Sequence, residues 1–404
     1  MFGMQSLIFR LIGDSTAVEN IYNGIILACI VTLIVSVWRV LFRNDEQVRR
    51  HAWLPVLMWY GLRIVWWSVP NNMLDTSLAM FCLASCYTQL LVLSKKRYAN
   101  GYWILSGILV LLACLTKGPV GLFPLAFPVL YDLIFKNSRR RIFGGALTLL
   151  ATVAILTFAV LQYPPARSLL KSYFDGQVMM ALLKKREGGE KNWVAHFYLV
   201  KILIVNILPH IVFTGGIWFV IHFSKAGFKI SETAKRAVLL NLLVIFSILV
   251  PMLASIKQSD PYLLPLTPFV ALFFACLCVE WIVSLCRQFS FYPTFILSFA
   301  SVICLIFMAF QVYRSAPDRM YEISTDLARH IPPGSKIYAT PEIARSPEIQ
   351  TPFQRYARLS VAFDPGATRY AYFDDCKTVP DSITRSPAFE VIPLACETAL
   401  VIAR

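Results

Sequence analysis

Long apolar runs fill the first three quarters of the chain, each closed by a short basic or polar break. Residues 1–12 are apolar but too few to cross a hydrocarbon core of about 30 Å, so they read as a juxtamembrane helix, with Asp14 or Ser15 capping the helix that follows. The pattern then predicts spans at 20–42, 52–69, 74–93, 102–116, 119–135, 142–162, 195–223, 237–254, 262–285 and 291–313. It describes a polytopic α-helical membrane protein of about 11 spans. The run 102–116 is short and 119–135 is interrupted by proline, so either is open to a re-entrant course.

The polar breaks orient this bundle. Arg39, Arg43, Arg49 and Arg50 follow the first span, Lys95, Lys96 and Arg97 the third, Lys136 and Arg139–Arg141 the fifth, and Lys225, Lys229, Lys235 and Arg236 the seventh. Lysine and arginine gather on the cytoplasmic side, which leaves the N-terminus and the end of the last span external.

From Arg314 the pattern changes. Asp318–His330 carries a helical period, with Met320, Ile323, Leu327 and Ala328 for one face, and Pro332-Pro333-Gly334 stops it. Strand-like runs follow at 336–339, 370–373, 389–392 and 399–403, which suits a small external α/β domain over 314–404, after a membrane domain over 1–313.

Composition supports the division. Hydrophobic residues make up 57% and charged residues 15%, with a mean hydropathy of +0.61, against about 25% charged for a soluble domain. The net charge is +15, yet the tail carries eleven basic and eleven acidic residues, leaving 27 basic and 12 acidic ahead of it. The folded tail has no basic stripe and nucleic acid is excluded as a partner; membrane lipids and a phosphate ligand fit the charge better. Eight of the ten cysteines lie in or beside apolar runs, where Cys packs as a small hydrophobe, and none has metal-site spacing. Cys376 and Cys396 are the other two, and an external tail permits a disulfide between them.

Ionisable residues at span ends are the candidate chemistry. Lys117, in Cys114–Pro124 (CLTKGPVGLFP), is either a lysine snorkelling from a loop or a functional cation. Lys257 precedes Asp260 in Ser255–Pro268, and Asp75 begins a span as either its N-cap or a working carboxylate. Arg63, beside Trp66 and Trp67, suits a lipid-phosphate contact or a buried carboxylate's partner. His196 and His210 read as packing or hydrogen-bonding residues. The segment 163–195 is either an amphipathic helix on the headgroups or a loop hinged at Gly188-Gly189 that offers Lys184, Lys185 and Arg186 to a phosphate.

In order along the chain, GDS-x4-E (Gly13–Glu19), Leu74-Asp75 before a span, LTKGPVGL, and S-x-K ahead of Y-L-L-P resemble the GT-C membrane glycosyltransferases that use polyprenyl-phosphate sugars, the aminoarabinose-transferase and protein-mannosyltransferase-like families. The likeness runs over residues 1 to about 313. It implies an inverting sugar transfer from a polyprenyl-phosphate donor to a lipid, glycan or protein acceptor at the external face of the inner (plasma) membrane, with a periplasmic tail. No cofactor is implied, and dependence on a divalent metal is left open. Lys117, Lys257, Lys184, Lys185, Arg186 and Arg63 would hold the donor phosphate, with Asp75 a supporting carboxylate. Such enzymes begin with a span and an external loop bearing the principal base; this sequence has no counterpart to them, and Met1 falls just after their place. A flippase or transporter for a lipid-linked sugar, or an inactive scaffold, are the competing classes; the former would set its charges near mid-membrane rather than at one face.

Overall fold

The computed structural model describes residues 3–13, 16–68, 73–95, 100–136, 139–179, 196–223, 230–253, 258–288, 319–344 and 346–404, and the chain divides into two compact units, Met1–Ser290 and Phe291–Arg404. The boundary expected at 313/314, the span 291–313, and the capping pair Asp14 and Ser15 lie outside the described residues.

In the first unit α1 (Gly3–Ile12) precedes the long apolar α2 (Thr16–Leu41) and three short helices, α3 (Glu46–Arg50), α4 (Trp53–Tyr60) and α5 (Arg63–Ser68). Next come α6 (Leu74–Lys95), α7 (Asn100–Lys117), a 3-10 segment (Gly118–Ala126), α8 (Phe127–Phe135), α9 (Arg139–Gln162) and α10 (Pro164–Tyr173). α11 (Tyr198–Phe223), α12 (Glu232–Met252), a second 3-10 segment (Asp260–Leu266) and α13 (Thr267–Gln288) complete the described part. α6 and α13 are central and mostly buried, whereas α9 and α11 turn Phe143, Leu147, Phe158, Val212 and Trp218 outward. That arrangement suits a bundle whose solvent is hydrocarbon, and the chain is a multi-pass membrane protein.

Seven segments among the described residues are long and apolar enough to cross a membrane, so the expected total of about 11 is not confirmed. That total also conflicts with an external N-terminus and an external tail, which need an even number of crossings; the intervals read from the sequence are ten. The run 52–69 is not one continuous helix. It forms the eight-residue α4 and six-residue α5, neither long enough to span alone, and Leu54, Met58, Trp59, Leu62, Ile64 and Val65 are buried against the unit's own core.

The break between α4 and α5 is satisfied from α11. His210 Nε2 lies 2.7 Å from the Met58 carbonyl, and Asn206 Oδ1 accepts the Ile64 N–H at 2.9 Å. Broken backbone inside a bundle needs such partners, because no water is at hand to supply them. His196 is likewise a hydrogen-bonding residue, with Nδ1 2.7 Å from the Leu253 carbonyl.

Asn100–Phe135 is one continuous apolar stretch of 36 residues, but its backbone reverses after Lys117. Gly118 takes φ +78, open to glycine at little cost, and the chain returns so closely that a Cβ on Gly121 would sit 2.5 Å from the Cys114 nitrogen. The return strand is 3-10 because of its prolines. The Pro124 carbonyl finds no N–H four residues on, at Pro128, and takes the Phe127 N–H together with Gln89 Nε2 at 3.1 Å. Gln89 also donates to Ser106 Oγ at 2.9 Å, and Ser106 shares a 2.7 Å hydrogen bond with Ser85, so a buried polar cluster pins the return strand to α6 and α7.

The second unit holds α14 (Arg319–His330), β1 (Lys336–Tyr338), α15 (Pro341–Ala344), α16 (Pro347–Tyr356), β2 (Ser360–Ala362), β3 (Tyr370–Phe373), α17 (Asp381–Thr384), β4 (Phe389–Pro393) and β5 (Ala399–Ala403). The sheet order is β2-β1-β3-β5-β4, parallel from β2 to β3 and antiparallel from β3 to β4, with Ile337 paired to Val361, Tyr372 to Leu400 and Val391 to Val401. The face expected of α14 is corrected at one place: Ile323 and Leu327 are buried, but Ala328 is exposed and Ser324 takes the inward position, its hydroxyl bonded back to the Met320 carbonyl. The disulfide is not formed. Cys376 Sγ bonds the Thr398 carbonyl at 2.9 Å, while exposed Cys396 turns to Glu322, whose carboxylate is 3.5 Å away.

Candidate functional site at the ends of α6 and α7

α6 and α7 are antiparallel neighbours, so the first turn of one lies beside the last turn of the other. Asp75 in that first turn accepts a hydrogen bond from the Lys117 ammonium at the end of α7. The carboxylate is 4% exposed and the lysine side chain 27%, so the pair is sheltered on the acid's side and open on the amine's. Asp75 lies inside the helix rather than at its N-cap, and Lys117 is an ion-pair partner rather than a snorkelling loop residue.

A third element completes the site. Tyr262, in the 3-10 segment Asp260–Leu266, sets its ring 4.3 Å from Lys117 Nζ, so the ammonium is held between a carboxylate and an aromatic face. This segment is 3-10 for the same reason as the first: the Leu264 carbonyl meets Pro268 four residues on, and instead takes the Thr267 N–H and Thr267 Oγ1 at 2.8 Å. Thr267 Oγ1 in turn accepts the Trp59 indole N–H at 2.9 Å. The first 3-10 segment meets the start of α13 through Phe123 and Phe269, whose rings stand edge to face at 5.9 Å. Around the pair, Tyr22 OH lies 3.1 Å from Ser77 Oγ, and Tyr173 OH donates to the Lys117 carbonyl at 3.4 Å.

Of the residues singled out in the sequence, the structure therefore joins Asp75 and Lys117. Arg63 is exposed at the start of α5, a helix that packs on Asp260–Leu266. Asp260 accepts a hydrogen bond from the Tyr198 hydroxyl. Lys257, Lys184, Lys185 and Arg186 lie outside the described residues. The residue after Lys257 is well anchored, for Gln258 accepts the Leu199 N–H at 2.9 Å and donates to the His196 carbonyl at 3.0 Å. Tyr262, Tyr22 and Tyr173 were not singled out by the sequence; Tyr262 stands in the Y-L-L-P motif, but nothing local marks its ring as lying under a lysine. Among the described residues no three His, Cys, Asp or Glu side chains gather as metal ligands.

Two comparisons show what the chain is similar to. Residues 2–163 match the family model for dolichyl-phosphate-mannose-protein mannosyltransferase. In fold the chain is similar to ArnT from Cupriavidus metallidurans bound to undecaprenyl phosphate, with a TM-score of 0.61 and 14% identity over 98% of this chain and 85% of that one. It is similar to the apo state of the same protein with a TM-score of 0.60 and 15% identity, over the same shares. No curated protein sequence matches. Both findings agree with the resemblance read from the sequence, the first over residues 2–163 and the second in fold alone.

Proposed function

We propose that the protein is an inverting GT-C-type glycosyltransferase that moves a sugar from a polyprenyl-phosphate donor to an acceptor hydroxyl at the external face of the membrane. The observation that carries this is the Asp75–Lys117 pair against Tyr262, at one end of a bundle with the fold of a protein solved with undecaprenyl phosphate. In the transfer the acceptor hydroxyl gives its proton to a general base, its oxygen bonds to the anomeric carbon as the bond from that carbon to the phosphate oxygen breaks, and negative charge builds on the departing phosphate. A cation fixed beforehand stabilises that charge without reorganising. Lys117 is so fixed, and its exposed side leaves ammonium N–H groups for phosphate oxygens. Asp75, already engaged by Lys117, is the supporting carboxylate: it holds the lysine in place. Lys257, Lys184, Lys185, Arg186 and Arg63 are further candidate cations for the phosphate, on sequence grounds. The acceptor is a lipid, glycan or protein hydroxyl, and the tail over 314–404 is external.

The test is transfer from a polyprenyl-phosphate sugar by the reconstituted full chain. Lys117→Ala should lower kcat/KM by about 10²-fold or more, the scale of a lost transition-state charge contact. Unchanged kinetics in a variant that inserts and folds normally would sink the assignment.

A further inference from the structure

At the end of α2 remote from Tyr22, three guanidinium groups share one cleft. Arg39, in the last turn of α2, and Arg49 and Arg50, on α3, line a volume of about 450 Å³. The turn that gathers them is rigidly built. Asp45 caps α3 by accepting the Val48 N–H at 3.0 Å, and the buried Trp38 indole donates to the Val48 carbonyl at 2.9 Å. Val48 is itself buried, so packing as well as hydrogen bonding fixes α3 against α2.

The two acids of the turn are already engaged, Asp45 by the cap and Glu46 by Arg50 at 2.7 Å. Among the described residues neither Arg39 nor Arg49 has a carboxylate within ion-pair distance. The cleft therefore presents cationic forks that the protein itself leaves open. Planar guanidinium groups match phosphate oxygens in pairs, which makes a phosphate ester the fitting ligand.

The outward face of α2 says which phosphate ester. Ile21, Ile25, Ala28, Thr32 and Arg39 fall at helical spacing on one exposed stripe. Its hydroxyls are closed on the helix backbone, Thr32 to the Ala28 carbonyl and Ser36 to the Thr32 carbonyl, each at 2.7 Å, so the stripe presents carbon to its surroundings. Tyr22 to Arg39 is about 25 Å along the helix axis, close to a bilayer's hydrocarbon thickness. Because Tyr22 bonds Ser77 beside Asp75, the arginine cleft lies on the other side of the membrane from the Asp75–Lys117 site.

We propose that this cleft binds the headgroup of an anionic phospholipid, whose acyl chain lies along the exposed stripe of α2. Arg39 and Arg49 take the phosphate oxygens, and Arg50, tethered by Glu46, closes the rim. The site is independent of sugar transfer.

Native mass spectrometry of the full chain in detergent, titrated with dioleoylphosphatidylglycerol, tests this. Arg39→Gln should weaken lipid binding about fivefold, the loss expected for one cation near an anionic headgroup. Arg43→Gln removes the same charge outside the cleft and should leave binding unchanged, and dioleoylphosphatidylcholine should bind weakly to both. Equal losses in the two variants would reduce the effect to diffuse charge and overturn the site, as would no loss in either. Displacement of the lipid by inorganic phosphate alone would make it a free-anion site instead. A change of oligomeric mass in Arg39→Gln would mark the stripe as a protein contact and overturn the lipid assignment.

Discussion

Asp75 and Lys117 stand 42 residues apart in sequence and share a hydrogen-bonded ion pair that locks the start of α6 to the end of α7. A sheltered pair behaves asymmetrically under mutation: removing one partner leaves a charge without its counterpart, whereas removing both need not destabilise. Asp75→Asn should therefore cost about 1–3 kcal/mol, less than a fully buried pair because Lys117 is part exposed. Asp75→Asn with Lys117→Met should recover part of that loss while still abolishing transfer. Thermal unfolding in detergent and a transfer assay together check it; additive effects on stability would show that the pair carries no coupling.

The reversal after Lys117 depends on Gly118, whose φ is +78 and whose missing Cβ would press on the Tyr173 hydroxyl. Gly118→Ala should destabilise the protein by about 1–3 kcal/mol through backbone strain and the clash together. Adding Tyr173→Phe removes the oxygen but leaves the ring's Cε1 and Cζ at 2.9 and 3.0 Å, and should restore only part of the clash component. If the double variant is no more stable than Gly118→Ala, Tyr173 does not press on this turn in solution.

Asn206 is the partner of a backbone N–H exposed by the break between α4 and α5. Asn206→Leu keeps the volume but orphans the Ile64 donor, at a cost of about 1–3 kcal/mol. Hydrogen exchange should accelerate at Ile64 and its neighbours while α9 stays protected; uniform exchange throughout would mean that Asn206 has no local role.

Sidedness and thiol state can be read in one experiment on intact cells. Cysteines introduced at Gln47 and at Ser382 should react with an impermeant maleimide from opposite faces, as the arginine-rich end of α2 and an external tail require. Native Cys396, exposed and free of a disulfide, should alkylate without prior reduction, from the same side as position 382. Labelling of positions 47 and 382 from one side refutes the topology. Recovery of a Cys376–Cys396 bond after non-reducing extraction would contradict the arrangement in which each thiol has its own partner.

Hydropathy reports that a residue leaves water, without saying what replaces the water, and this explains where sequence and structure part. The long apolar helices, the reversal at Lys117-Gly118, four of the five strands and the candidacy of Asp75 and Lys117 all rest on local patterns, and local patterns survive into the fold. The run 52–69 is as apolar as a span, but its helix breaks between α4 and α5, and only His210 and Asn206, reaching in from α11, show how that break is tolerated. β2 becomes a strand through its pairing with β1, a partner that no local pattern names. No spacing along the chain announces that Tyr262 lies against Lys117 or that Asp75 faces it. Those contacts are set by the antiparallel packing of α6 with α7 and by the 3-10 geometry that prolines impose on the segments beside them, relations that exist only once the bundle has closed.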